Sequence, residues 1–223
     1  MVKRADTFVD TATTLIEDHT PTGPDAGNAW TVFEQTGVQP FQISTNDELT
    51  PASTEAADRL LASLGDDPTE ADIVVSVLLV TQGPTDDPAF VYTRAVDVNN
   101  LYCAGGYSNA SAARPLWVGK KTTASGYEDL VTDTGEAWVS GQIGRLEITG
   151  TALEFFIAGV SKLTTTDSSH ASAGETGVGV GNIRNSSDDF RGTQDLDNFF
   201  WEEVGGGGPG AAIFGKTRPI VRL

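Results

Sequence analysis

The chain of 223 residues carries 31 acidic against 14 basic side chains, giving a formal net charge of −17 and a pI near 4.2. Its 39% apolar residues are enough for a core, which excludes disorder of the whole chain, and the negative charge argues against a phosphate-binding surface, so no nucleic-acid partner is expected. No run of about 18 apolar residues is present, and Met1-Val2-Lys3-Arg4 leads into Ala5-Asp6-Thr7 rather than an apolar signal core, so neither membrane insertion nor an export signal is expected. Cys103 is the single cysteine, which leaves burial and strand pairing, not an intrachain disulfide, to hold the fold.

Taken in chain order, Ser53–Leu64 carries Ala56, Leu60, Leu61 and Leu64 at helical spacing and is stopped by Asp66-Asp67-Pro68, which locally predicts a helix. Ile73–Val80 is dense in β-branched residues and ends at Gln82-Gly83-Pro84; it predicts a central strand buried on both faces, with its sequence neighbours flanking it. Phe90–Val96 and Leu101–Tyr107 bracket Asp97-Val98-Asn99-Asn100, a hairpin turn rich in Asx residues. Gly144–Leu163 predicts a three-stranded meander, with Leu146, Ile148, Leu153, Phe155 and Ile157 inward and Glu147 and Glu154 outward. Gly177-Val178-Gly179-Val180-Gly181 reads as a strand whose glycines let it lie against a backbone or a bulky aromatic, not as a phosphate loop. Turn signals roughly every eight to twelve residues point to an antiparallel sandwich or barrel.

Gly205-Gly206-Gly207-Gly208-Pro209-Gly210 has a flexible composition and divides the chain into a domain over 1–204 and a hinge with an apolar-basic arm over 205–223. The arm residues of interest are Ile213, Phe214, Lys216, Arg218, Ile220 and Arg222.

The order of motifs resembles a known family. Asp6-Thr7-Phe8 with Leu15, His19-Thr20-Pro21 and Gly27-Asn28-Ala29-Trp30 looks like the opening strands of concanavalin A-like (laminin G-like) jelly-roll domains. Ala71–Val77 resembles their long central strand, and Tyr92-Thr93-Arg94 with Asn99–Tyr102 resembles the hairpin after it. Arg145–Thr151 with Phe155 and Gly159-Val160, then Thr165–Ser168, Gly174, Gly177 and Leu196-Asp197-Asn198-Phe199, complete the likeness over roughly residues 5–204. The resemblance implies an all-β fold, a jelly-roll sandwich of two antiparallel sheets with a short C-terminal arm, and an extended chain or strand where Ser53–Leu64 reads locally as helix.

Glucanases of this fold carry a Glu-x-Asp-x-x-Glu strand. Here only Glu70-Ala71-Asp72 starts that way and Val75 stands where the second Glu belongs, so no catalytic residue is assigned. His19 and His170 stand in no zinc-binding arrangement. His19 is expected as a turn or core hydrogen-bonding residue and Cys103 as a small buried strand residue. Because many relatives hold a calcium ion near the chain ends, Asp6, Asp195 and Asp197 are candidates for a structural calcium site; no other cofactor is expected. Trp117, Tyr107 and Trp138 are candidates for sugar stacking, against the alternative that they are core residues. Asn109-Ala110-Ser111 and Asn185-Ser186-Ser187 match glycosylation sequons.

The leading functional expectation is a non-enzymatic structural or attachment protein of a virus particle, a decoration, tail-fibre or spike component that also binds glycan. Its partners would be other virion subunits met through the arm and cell-surface polysaccharide, in a homo-oligomer or multi-copy assembly. A secreted carbohydrate-binding module is the alternative. A glycoside hydrolase or lyase with an atypical site is the third reading, and it requires a carboxyl of raised pKa beside a second one.

Overall fold

Alternating apolar and polar side chains give a strand two unlike faces, and stacking the apolar faces of two sheets is the cheapest way to bury them. The computed structural model describes residues 3–11, 14–21, 29–35, 41–51, 59–64, 68–81, 88–107, 115–181, 183 and 195–204. Its strands are β1 (Lys3–Asp6), β2 (Trp30–Gln35), β3 (Phe41–Ile43), β4 (Leu49–Pro51), β5 (Arg59–Leu64), β6 (Ile73–Thr81), β7 (Ala89–Asp97) and β8 (Asn100–Gly106). They continue with β9 (Leu116–Thr122), β10 (Gly126–Asp133), β11 (Gln142–Thr149), β12 (Ala152–Ile157), β13 (Val160–Thr166), β14 (Glu175–Gly181) and β15 (Asp195–Glu203). No α-helix occurs among the described residues; Ile16–Asp18 is a single 3₁₀ turn.

One sheet runs β13-β12-β11-β6-β15-β4-β3, with β1 also paired to β15, and the other runs β10-β9-β8-β7-β14-β5-β2. This is a jelly-roll sandwich of two antiparallel sheets. The meander forms as its alternation predicts: Leu146, Ile148, Leu153, Phe155 and Ile157 are buried, while Glu147 and Glu154 sit half-buried on the outer face.

Two expectations are corrected. Arg59–Leu64 is a strand, not the end of a helix, because β5 is hydrogen-bonded on one side to β14 and on the other to β2, so backbone pairing on both edges overrides a local leucine spacing. The rest of Ser53–Leu64, residues 53–58, lies outside the described residues. β6 is flanked by β11 and β15, while β5 and β7 belong to the opposite sheet, because the chain crosses between layers on both sides of it. Only one face of β6 is fully buried, through Ile73, Val75, Val77 and Leu79; Val74, Leu78 and Val80 are half-buried.

The inter-sheet core joins those β6 side chains and the meander to Val91, Tyr102, Ala104, Val118, Val178 and Val180 of the seven-stranded sheet. A second apolar cluster lies on that sheet's other face, where Phe90, Tyr92, Leu101, Cys103 and Trp117 are fully buried. Glycine makes room for rings at two points. A Cβ on Gly179 would lie 2.2 Å from the Phe90 ring, and one on Gly144 would lie 2.5 Å from the indole of Trp138, which is packed edge-on to Phe155. Gly144→Ala forces the indole out of that packing, and the expected cost is roughly 1–3 kcal/mol in chemical denaturation.

One end of the sandwich is closed by polar groups. Tyr102 Oη–H donates to Asp167 Oδ1 at 2.6 Å and Lys120 Nζ donates to Asp167 Oδ2 at 2.7 Å, while Arg94 Nε donates to Ala71 O at 2.6 Å and Arg94 Nη1 to His170 O at 3.0 Å. Burial and the Asp167 carboxylate that accepts its proton push the Tyr102 hydroxyl up to about 12. Asp167 is half-buried, which raises its pKa, but the bonds from Lys120, Tyr102 and Ser169 outweigh that and hold its carboxyl well below the usual range. Val204 N donates to Asp72 O at 2.8 Å, so the strand that leads to residue 205 leaves at this same end.

Candidate functional site

The sequence candidates were placed by the fold in other roles. Trp117 and Trp138 are fully buried and Tyr107 is 7% exposed, so none of the three offers a ring face to a sugar. Trp138 Nε1–H donates to Gln142 O at 2.9 Å, and Trp117 lies between the rings of Phe90 and Tyr127. Each faces a sheet surface that is already filled, which is why large apolar rings stand there.

The proposed calcium carboxylates are not brought to one ion either. Asp6 Oδ1 accepts Phe8 N–H at 3.0 Å, while its Oδ2 accepts Trp30 Nε1–H at 2.6 Å and His19 Nε2–H at 2.8 Å. Three donors therefore already share the Asp6 carboxylate. Asp197 accepts from Asn198 N and Nδ2, and Asp195 pairs with Thr81 at the start of β15. No group of three or more His, Cys, Asp or Glu suited to a metal occurs among the described residues. His19 and Cys103 are buried. Both sequons and the arm residues Ile213, Phe214, Lys216, Arg218, Ile220 and Arg222 lie outside the described residues.

What the fold does bring together is the outer face of the eight-stranded sheet. Residues in register on neighbouring antiparallel strands share a face, with facing Cβ atoms about 5 Å apart. Register therefore sets Thr164, Glu154, Glu147, Val74 and Glu202 in one row across five strands. Ser161, Phe156, Arg145, Ser76 and Phe200 form the next row. At about 4.8 Å per strand the rows extend for roughly 19 Å, but Ser76 and Glu202 are buried, so the surface open to a ligand centres on Arg145, Glu147, Glu154 and Phe156.

The two rows are tied to one another. Arg145 Nη2 pairs with Glu147 Oε1 at 3.0 Å, and the guanidinium carbon lies 4.2 Å from the centre of the Phe156 ring. Burial pushes the Glu147 carboxyl above its usual range, and the neighbouring carboxylates of Glu154 and Glu202 add to this while Arg145 opposes it. Phe156 and Phe200 are half-buried, so each keeps part of a ring at the surface beside charged oxygen and nitrogen atoms. Apolar rings next to planar, bidentate hydrogen-bonding groups suit a sugar, whose C–H faces stack and whose hydroxyls pair with carboxylate or guanidinium. The sequence pointed to Glu147 and Glu154 as outward residues. It did not indicate Glu202, which is far along the chain and joins the row only through β6.

No protein-family model and no curated protein matches the sequence. Solved structures do match the fold. The carbohydrate-binding module CBM66 from Bacillus subtilis is 12% identical, over 78% of this chain and 95% of that one, with a TM-score of 0.57. The catalytic domain of an endo-1,3-β-glucanase (laminarinase) from Thermotoga petrophila RKU-1 is 12% identical, over 90% and 96% of the two chains, with a TM-score of 0.53. The exoplasmic/lumenal domain of VIP36, in a Ca2+/Man-bound form, is 10% identical over 80% and 84%, with a TM-score of 0.51. These similar structures include an enzyme as well as proteins named for binding, so the likeness carries the fold and leaves the chemistry to the residues. The chain has the galectin-like, concanavalin A-like jelly-roll fold.

Proposed function

We propose that this protein is a non-enzymatic glycan-binding attachment or structural component of a virus particle, and that the outer face around Arg145, Glu147, Glu154 and Phe156 is its sugar-binding surface. The observation that carries the glycan half is the two-row face itself, in which half-buried phenylalanine rings adjoin paired charged groups. The fold's likeness to a carbohydrate-binding module supports it. The virion half rests on the Gly-rich stretch and the apolar-basic arm, a composition suited to tethering one subunit to another. A carbohydrate-binding module outside any virion uses the same surface.

Val75 supports a binding role over catalysis. It is fully buried, so the strand position at which the glucanase pattern needs its second carboxylate faces the core. A glycoside hydrolase is the second reading because of one specific observation. Glu147, with its raised pKa, stands directly opposite Glu154, and retaining glycosidases use two carboxyls about 5–5.5 Å apart, one of them kept protonated.

A glycan array that reads binding and released reducing ends together, with and without calcium, tests both readings. Binding without turnover is expected. Phe156→Ala and Arg145→Ala are each expected to weaken binding about tenfold. Reducing ends that appear with the wild type and disappear with Glu147→Gln would establish the hydrolase, and binding untouched by either surface substitution would place the site elsewhere.

A further inference from the structure

Register fixes the charge of the outer sheet face as well as its shape. Glu154 on β12 stands directly opposite Glu147 on β11, and facing Cβ atoms in such a pair are about 5 Å apart. Like charges in that relation repel, so the strand pair itself gains nothing from keeping both. Arg145 answers only one of them: its Nη2 is 3.0 Å from Glu147 Oε1, and its guanidinium is stacked on the Phe156 ring. On the other side of Glu154 stands Thr164 of β13, exposed and uncharged. Lys162, the one basic residue of β13, is taken by Glu136 at 2.8 Å. Among the described residues no lysine or arginine pairs with Glu154.

The surroundings reinforce that sign. Glu202 lies in the same row beyond Val74, and the whole chain carries a net charge of −17. A sugar bearing a carboxylate or sulfate would meet these groups with the single guanidinium of the face already neutralised by Glu147. Burial raises the Glu147 pKa, and the charge of Glu154 raises it further, so a positive group beside both carboxylates relieves an existing repulsion. A calcium ion does not suit the place, because it takes about six to eight oxygens and no group of three or more metal-binding side chains occurs among the described residues.

We propose that the glycan taken by this face carries free amino groups: a glucosamine-type oligosaccharide whose protonated amine is held by Glu154 beside Glu147, while the C–H face of a ring lies on Phe156. This rests on the sugar-binding reading above and names the class of sugar. An ammonium offers donors and no acceptor, which fits a spot whose open groups, the Glu154 carboxylate and the Thr164 hydroxyl, both accept. Glu154 and Phe156 are two residues apart on β12 and therefore share a face at a separation of about 7 Å, within the length of a disaccharide. The two side chains have different tasks. Phe156 binds the ring of any such sugar, and Glu154 sets the preference for the amine.

The test is isothermal titration calorimetry of the full chain in the presence of a chelator. The probes are short oligomers of glucosamine, of its N-acetylated form and of galacturonate, at about pH 6, where carboxylates are ionised and amines protonated. The glucosamine oligomer is expected to bind about tenfold more tightly than its N-acetylated form, and the galacturonate oligomer not at all. Glu154→Gln keeps the shape of the side chain and is expected to abolish the tenfold preference, whereas Phe156→Ala weakens both forms alike. Glu128→Gln, on β10 of the other sheet, removes an exposed carboxylate away from the face and is expected to leave the affinity unchanged. Equal affinity for the two forms, tighter binding of galacturonate, or a preference that survives Glu154→Gln overturns the proposal. So does a loss of equal size in Glu128→Gln, which would show general attraction to an acidic protein. The failure of the underlying reading looks different. A glycan of another class that binds and is weakened by Phe156→Ala keeps the sugar face and removes only its preference for amines, while an array on which no glycan binds removes both.

Discussion

Arg94→Ala is expected to cost about 3–5 kcal/mol of stability, the range for removing one partner from a buried charged cluster. Arg94 is 2% exposed and lies where β7 is irregular between Thr93 and Asp97. Its guanidinium crosses the end of the sandwich to reach Ala71 O beside β6 and His170 O in the β13–β14 connection, and Nη2 lies 3.5 Å from Asp72 Oδ1. Burial lowers its pKa, opposed by Asp72, yet it remains a cation at any physiological pH. Truncation leaves two carbonyls unpaired and Asp72 without its counter-charge. A second substitution isolates the backbone share. Arg94 has φ +51°, a conformation that costs a side chain roughly 1 kcal/mol and costs glycine little. Arg94→Gly is therefore expected to be about 1 kcal/mol less destabilising than Arg94→Ala, as read by urea denaturation. Equal losses would show that the positive φ carries no strain, and a loss under 1 kcal/mol for both would show that the guanidinium does not hold the end closed.

The second large effect is at His19, which lies between two carboxylates. Its Nε2 is 2.8 Å from Asp6 Oδ2 and its Nδ1 is 3.1 Å from Asp10 Oδ2, an arrangement in which both ring nitrogens donate when the ring is protonated, so the two carboxylates favour the imidazolium. Burial pulls the His19 pKa down, but the bonds and charges of Asp6 and Asp10 outweigh it, and the net shift is upward from 6.5. Asp6 is likewise pushed up by burial and carried below 3.8 by His19 and Trp30. Asp10 is lowered mainly by its bond from Thr11 N–H and then by His19. The directions set the pH window. The His19 contribution is complete below 6.5, the unfolded value, and is lost as pH rises through the raised folded value; the aspartate contributions are complete above 3.8 and are lost as pH falls through the depressed values. Stability is expected to be greatest between these limits and to decline on the alkaline side. His19→Gln should lower the plateau by roughly 3 kcal/mol and flatten the alkaline limb. Trp30, whose indole N–H donates to Asp6, reports the change by fluorescence. An alkaline limb that persists unchanged in His19→Gln would assign it to another group.

Much of the sandwich was legible because its strands are amphipathic. Leu146, Ile148, Leu153 and Phe155 name their own face, since a side-chain period of two admits one burial pattern. The same alternation does not name a partner, which is why β6 was expected beside its sequence neighbours and is found between β11 and β15. Arg59–Leu64 misled because three leucines fit a helical stripe over a stretch too short for periodicity to decide, and pairing with β14 and β2 decides it. The site was less legible than the fold. Trp117 and Trp138 look alike in sequence whether they stack on sugar or fill a core, and only the layers show that both faces at their positions are occupied. Asp6 reads in the sequence as a candidate metal ligand, and its contacts with His19 and Trp30, far along the chain, have no local signal. The row from Glu154 to Glu202 depends on register across four strands, which no local pattern encodes.

The seven-stranded sheet has apolar clusters on both of its faces, whereas the eight-stranded sheet exposes one. The two layers therefore differ in how freely a side chain can be replaced without loss of packing. In β7 and β8 consecutive positions alike face packed neighbours, so most replacements there disturb one cluster or the other. In β11 and β12 every second residue, including Arg145, Glu147, Glu154 and Phe156, can change its chemistry while the residue between keeps the core intact. Substitutions at alternate positions of those two strands are therefore expected to cost little stability, whereas the same changes in β7 and β8 cost the packing of one layer or the other.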